Sequence, residues 1–265
     1  MQTPVRPTFQ PPAELSWHGT VAVLSLNEPD RRNALSLAML ASIGAALDAA
    51  SDARVIIVRA SPGASVWCAG FDIAALAPGF DPLAEDGPLK AVFRRIADHP
   101  GMVIAMLHGS AWGGGTDLAL RCDFAIADPT CTLAFTPAKL GLPYDSDGLL
   151  NVVGRAGPAA ALEMFGAADP MPAARALQLG LLNHVVPEPE LEAFTFALAD
   201  RIAANAPLSV ASAKQQIRAL SAALPLPSAT AQRLAEGRSR ALNSSDYAEG
   251  LAAFRARRAP VFTGA

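Results

Sequence analysis

Apolar positions in the first half of the chain come in short dense runs rather than in helical stripes. Residues 21–26 (VAVLSL), 55–58 (VIIV), 102–107 (MVIAML) and 124–127 (FAIA) each predict a strand buried on both faces, as parallel sheets require. Residues 130–135 predict a further strand. Helical spacing appears between these runs. Leu37, Leu40, Ile43, Ala46 and Leu47 share one face of a helix that reaches about residue 50, with Ser36 as its N-cap. A second helix, 89–99, ends at Pro100-Gly101. Residues 27–30 read as a turn, 61–70 as a loop and 71–73 as a short helical start. The segment 78–88 is rich in Pro, Gly and Asp without an apolar period, which predicts a mobile surface loop bordering a pocket. From residue 149 helices dominate, at about 149–155, 158–166, 172–179, 188–205, 207–223, 228–243 and 245–257. The order, strands in β-β-α rhythm and then helices, predicts an α/β fold. The final helices carry too little apolar surface for a core of their own, so they must pack on neighbours, other subunits included.

The stretch 103–123, VIAMLHGSAWGGGTDLALRCD, organises this pattern. A buried strand breaks at His108-Gly109-Ser110, passes Gly113-Gly114-Gly115 and turns helical. Unpaired N–H groups at a helix start, with the positive end of the helix dipole, suit an anion or a developing oxyanion. Two readings stand: a tight strand-to-helix turn, or a site where glycines admit a ligand against the backbone. Ser110 directly follows Gly109, the wrong position for a G-x-S-x-G nucleophile elbow. No G-x-G-x-x-G and no P-loop pattern is present, which excludes those nucleotide-binding motifs.

Composition narrows the class. The 265 residues are 51% hydrophobic and 17% charged, enough for one large domain or a domain with a helical appendage. A net charge of −3 argues against a nucleic-acid partner. Cys68, Cys122 and Cys131 are an odd set without paired spacing, so free thiols in a reducing compartment are expected. The four histidines show no metal-ligand spacing, so no metal is expected, and His108 reads as a satisfied structural residue. Residues 1–12 lack the apolar run of a signal peptide, and no stretch predicts a membrane span. A cytoplasmic address follows as the expectation.

Three segments together resemble the crotonase (enoyl-CoA hydratase/isomerase) superfamily. They are Leu26-Asn27-Glu28-Pro29 with Arg32-Asn33-Ala34-Leu35-Ser36, then Cys68-Ala69-Gly70-Phe71-Asp72-Ile73, then Gly109-x-x-x-Gly113-Gly114-Gly115. The resemblance covers nearly the whole chain. It implies a crotonase-like spiral of β-β-α turns over residues 1–195, holding an acyl-CoA pocket. Residues 196–265 become a helical region that covers the CoA site and assembles trimers or dimers of trimers. It also implies an acyl-coenzyme A thioester substrate, no separate cofactor, and an oxyanion hole formed by the backbone N–H groups of Phe71 and Gly114. Ala34, Ala69, Gly70, Asp72, Ile73, Gly113 and Pro143 are the implied pocket residues. Arg31, Arg32, Arg257 and Arg258 are candidates for the CoA phosphates, Arg257 and Arg258 from a neighbouring subunit, against solvated surface as the default.

Within the superfamily, residues 109–114, 139–144 (KLGLPY), 181–186 (LLNHVV) and the tail around Tyr247 are similar to the methylmalonyl-CoA decarboxylases. Phe71 departs from that branch, which carries histidine there. The hydratases use two glutamates; their places fall at Asp117 and at Pro137, and proline transfers no proton. Half of an acid–base apparatus is therefore missing. Decarboxylation needs no base, because breaking the C–C bond delivers the enolate to the oxyanion hole. Tyr144 then becomes the side chain expected to orient the departing carboxylate. Asp117 is either a catalytic acid or a dipole-favoured residue of a first helical turn. Asp145 and Asp147 read as loop-solvating residues, with nucleophile, as in the dehalogenases of the superfamily, as the other role for Asp145. A hydratase or isomerase using Asp117 and a non-catalytic acyl-CoA binder are the competing functions.

Overall fold

The computed structural model describes residues 11–221 and 228–264. The leader-peptide reading of residues 1–12 thus lies mostly outside the described residues, as do positions 222–223 of the predicted 207–223 helix. The chain opens with β1 (Ala13–His18), antiparallel to β2 (Val21–Leu26), then α1 (Leu37–Ala49). Three winding turns follow. They are β3 (Val55–Ala60), β4 (Val66–Cys68) and α2 (Pro88–Asp98); β5 (Met102–Leu107), β6 (Ser110–Trp112) and α3 (Gly114–Arg121); then β7 (Phe124–Ala127), β8 (Thr132–Ala134) and α4 (Ser146–Leu162). The chain continues through β9 (Met171–Pro172), α5 (Ala173–Gln178), β10 (His184–Val185), α6 (Leu191–Ala203), α7 (Pro207–Ser221), α8 (Ser228–Leu242) and α9 (Ser245–Arg255). No described helix is long and apolar enough to cross a membrane.

Each turn gives one strand to each of two sheets. The larger has the order β1-β2-β3-β5-β7-β10 and is parallel from β2 onward; the smaller is β4-β6-β8-β9, with β4, β6 and β8 parallel. The dense apolar runs are explained by the larger sheet's two covered faces. Ile56 and Val58 point into the main core with Leu40, Ile43 and Ile96, whereas Val55 and Ile57 meet Leu191 and Ala199 of α6 on the other face. Removing each such side chain from water contributes about 1.5–3 kcal/mol.

The structure departs from the sequence expectations at several points. Strand β1 lacks an apolar signature because it is an edge strand with Ser16, Trp17 and His18 partly or fully in solvent. Short β4 and β6 lie inside what read as loop. Leu37, assigned to the buried face of α1, is 59% exposed, since as the first helical residue it precedes the contact surface. Ser36 does cap α1, its Oγ accepting from Met39 N–H at 3.1 Å. The predicted 149–155 and 158–166 helices run on from Ser146 and break at Gly157, where φ is 79°. The 78–88 segment borders the pocket as expected. It is anchored there: Leu83 is buried, Asp81 pairs with Arg238 of α8, and the Tyr247 hydroxyl donates to Phe80 O at 3.3 Å.

Candidate active site

The site forms where β4, β6 and β8, adjacent and parallel, end at the same edge of the smaller sheet. Ala69-Gly70-Phe71 leaves β4, Gly113-Gly114 leaves β6, and Thr136-Pro137 follows β8. The first two loops touch. A Cβ on Gly70 would lie 2.4 Å from Trp112 O and 3.3 Å from Gly114 N, and Gly70 has φ 83°, so both contact and conformation demand glycine. Leu35 N–H donates to Gly70 O at 2.7 Å, and Asp72 N–H donates to Leu35 O at 3.3 Å. This parallel bridge uses the groups on either side of Phe71, and the Phe71 N–H has no hydrogen-bond partner among the described residues. Gly114 is the first residue of α3, so its N–H has no intrahelical acceptor and sits at the positive end of the helix dipole. Two backbone donors therefore meet at one place.

They face a cleft walled by Phe71, Ile73, Leu76, Leu83, Leu89 and Leu142. Thr136, Pro137 and Tyr144 complete its lining. Phe71 lies beside Phe80, ring centroids 6.1 Å apart.

Behind Tyr144 lies a charged cluster. The Tyr144 hydroxyl donates to Asp117 Oδ2 at 3.0 Å, and Arg121 Nε donates to Asp117 Oδ1 at 3.0 Å. Arg121 also pairs with Asp147 at 2.9 Å, and Lys90 pairs with Asp147 at 2.8 Å and with Asp145. Asp117 has 0% exposure. Burial, opposed by Arg121, lifts its carboxyl above the ordinary aspartate range. Burial first, and Asp117 next, hold the Tyr144 phenol far above its usual range, so it stays a neutral hydroxyl.

The structure brings Ala69, Gly70, Phe71, Ile73, Gly113, Gly114 and Tyr144 together around the cleft. Asp117 stands one hydrogen bond behind. Ala34 lies in the turn before Leu35, and Pro143 precedes Tyr144; neither lines the cleft. Arg31 is half-exposed and paired with Asp72 at 2.6 Å, while Arg257 is exposed just beyond α9. The expectation that Asp145 and Asp147 only solvate a loop is overturned. Asp145 is 8% exposed and bound to a buried lysine, and Asp147 bridges both cations. Turned toward Lys90, Asp145 does not line the cleft, which removes the nucleophile alternative as well. Sequence reasoning missed Lys90, Arg121 and Thr136. Two signals were there: a lysine on the otherwise apolar face Leu89, Val92, Phe93, Ile96, and the i,i+4 spacing of Asp117 and Arg121. The three cysteines are buried and unpaired, and burial pushes the Cys68 thiol up to about 12, so none is a nucleophile. His108 Nε2 meets Ala64 O at 2.8 Å, the structural role expected of it.

Comparison with known proteins agrees with this geometry. The sequence profile of the enoyl-CoA hydratase/isomerase family matches residues 17–265. Methylmalonyl-CoA decarboxylase of Escherichia coli (strain K12) is 39% identical over 92% of this chain and 95% of its own. Carnitinyl-CoA dehydratase of Salmonella typhi is 34% identical over 94% and 97%. A solved methylmalonyl-CoA decarboxylase in complex with 2-nitronate-propionyl-CoA superposes with a TM-score of 0.92 at 38% identity, covering 96% of this chain and 98% of that one. The fold, the paired N–H donors and these likenesses make one statement: the chain belongs to the enoyl-CoA hydratase/isomerase (crotonase) family.

Proposed function

We propose that this chain is an acyl-CoA lyase that decarboxylates methylmalonyl-CoA or a close analogue. The observation that carries it is the composition of the cleft. Two free backbone N–H groups, from Phe71 and Gly114, converge on an apolar chamber whose hydroxyls belong to Tyr144 and Thr136, with proline at the second acid position. The N–H pair holds the thioester carbonyl and stabilises the enolate oxygen as charge develops, an effect of about 3–4 kcal/mol for each donor removed. Tyr144 orients the carboxylate out of the thioester plane without a counter-charge that would stabilise the ground state. Loss of neutral carbon dioxide then relieves an anion from an apolar wall. The likeness to methylmalonyl-CoA decarboxylases supports the same substrate class.

Hydration through Asp117 is the second reading, favoured by the dehydratase relative. Against it, Asp117 is shielded from the cleft by Tyr144. Incubation with methylmalonyl-CoA and separately with crotonyl-CoA, followed by product masses, distinguishes the cases. Loss of carbon dioxide supports the proposal, a gain of water on crotonyl-CoA supports the hydratase, and binding without turnover leaves an acyl-CoA binder. Coenzyme A enters as part of the substrate, with Arg31 and a neighbouring subunit's Arg257 facing its phosphates. The unit 196–265 is the assembly region of a trimer or a dimer of trimers, in keeping with exposed Leu208, Ile217 and Leu220 on α7. Three buried free thiols fit a cytoplasmic address.

A further inference from the structure

Behind the cleft, three carboxylates face two cations: Asp117, Asp145 and Asp147 against Lys90 and Arg121. The next charges outward are Asp81 and Arg238, which neutralise each other, and Arg155, a cation within electrostatic reach of Arg121. Asp117 has 0% exposure, and burial works against its ionised form more strongly than Arg121 supports it. Such surroundings favour uptake of one proton. Asp145 and Asp147 both contact Lys90, and the Asp147 side chain is 56% exposed. Asp117 has neither advantage, so the proton resides there.

The position of that proton decides what Tyr144 does. With Asp117 ionised, the Tyr144 hydroxyl donates to it and presents lone pairs to the cleft, which repels a carboxylate. With Asp117 protonated, its O–H donates to the Tyr144 oxygen and the phenolic O–H turns into the cleft. We infer that Asp117 and Tyr144 form a two-residue proton relay that delivers to the substrate the proton replacing its lost carboxylate. This rests on the decarboxylase reading above. The C–C bond to the carboxylate breaks and carbon dioxide leaves, and the electron pair becomes an enolate held by the Phe71 and Gly114 N–H groups. The α-carbon takes the Tyr144 proton, the Tyr144 oxygen takes the Asp117 proton, and Asp117 is left as a carboxylate beside Arg121. Water returns one proton to Asp117 for each carbon dioxide released. Run backward, the relay gives a further activity: ionised Asp117, through Tyr144, removes an α-proton from a saturated acyl-CoA and exchanges it with solvent.

The test follows propionyl-CoA in deuterium oxide by mass, alongside carbon dioxide release from methylmalonyl-CoA. The wild-type protein should load deuterium at the α-carbon. Exchange should rise with pH while carbon dioxide release falls across the same titration, because the two need opposite forms of Asp117. In Asp117→Asn the amide can donate to Tyr144 and accept from Arg121 but cannot pass a proton. Exchange should fall at least about 100-fold, within the usual range for a general acid–base group, and carbon dioxide release by less than about 10-fold. Absence of exchange in the wild type, exchange at the wild-type rate in Asp117→Asn, or equal losses in both assays would overturn the relay. If Asp117→Asn does not fold, the wild-type profiles decide, and profiles that run in parallel overturn it. Exchange of propionyl-CoA with no release of carbon dioxide overturns the decarboxylase reading and leaves the relay standing.

Discussion

Tyr144 and Asp117 show how one hydrogen bond ties a cleft to the charges behind it. Tyr144→Phe removes the hydroxyl but keeps the ring, which packs against Phe135 and Phe165 at 5.1 Å from each. The fold and acyl-CoA affinity should persist while kcat on a decarboxylated substrate falls by about 10²-fold or more, the scale of one transition-state hydrogen bond. Full rate in this variant would remove Tyr144 from the mechanism. Lys90 is a second residue whose effect is calculable. It is buried and bound to Asp145, so Lys90→Met strands a buried carboxylate and should cost about 3–5 kcal/mol in denaturant unfolding. Adding Asp145→Asn should restore part of that loss, as expected of coupled neighbours. Asp117 makes a pH prediction. Its folded pKa lies above the unfolded value of 3.8, so the folded chain binds more protons, and stability falls as pH rises through the folded pKa. The Tm of Asp117→Asn relative to wild type should therefore increase from acidic toward alkaline pH; a constant difference would show that Asp117 is not perturbed.

At the scale of elements, α3 matters through where it begins. It starts directly after β6 and lies against β4, so the Gly114 N–H comes beside the Phe71 N–H only if helix and strand approach closely. Gly115 permits this, since a Cβ there would stand 2.7 Å from Cys68 Sγ and 2.8 Å from Cys68 O. Gly115→Ala must push α3 away from β4. Overpacking of this kind costs about 1–3 kcal/mol, and the shift should lower kcat more than it lowers Tm. A variant with wild-type kcat would show that the donors tolerate the displacement. The sequence displayed three glycines as one signal, and the structure divides their work between the site at Gly114 and packing at Gly115.

For the whole molecule, the exposed apolar residues of α7 bear on assembly. On α7, Leu208 is 85% exposed, Leu220 74% and Ile217 62%. In the proposed trimer these residues are buried against a neighbour. The wild-type chain should sediment as a trimer or hexamer at micromolar concentration, and Ile217→Glu with Leu220→Glu should yield smaller species. A wild-type monomer would contradict the assembly. Near the cleft, the Asp81–Arg238 pair binds the 78–88 segment to α8, so loss of the C-terminal helices would also remove one support of the pocket wall.

What the chain's sequence determined by itself was whatever depends on local pattern. Apolar runs at 21–26, 55–58, 102–107 and 124–127 give a parallel sheet because only strands buried on both faces need them. Ser36 marks a helix start because its cap bond closes within three residues. The glycines at 113–115 marked a helix start with free N–H donors because such donors depend on a few consecutive residues, whereas the 68–71 loop stood out only through its resemblance to the crotonases. Tertiary structure decided everything that rests on distant partners. Asp117 and Tyr144 are 27 residues apart and Lys90 and Asp145 are 55 apart. Nothing in the spacing of Tyr144, Asp145 and Asp147 shows that helix α2 supplies a buried cation to them. An exposed aspartate and a buried, paired one read alike in sequence, because charge state and burial are set by what packs against the side chain.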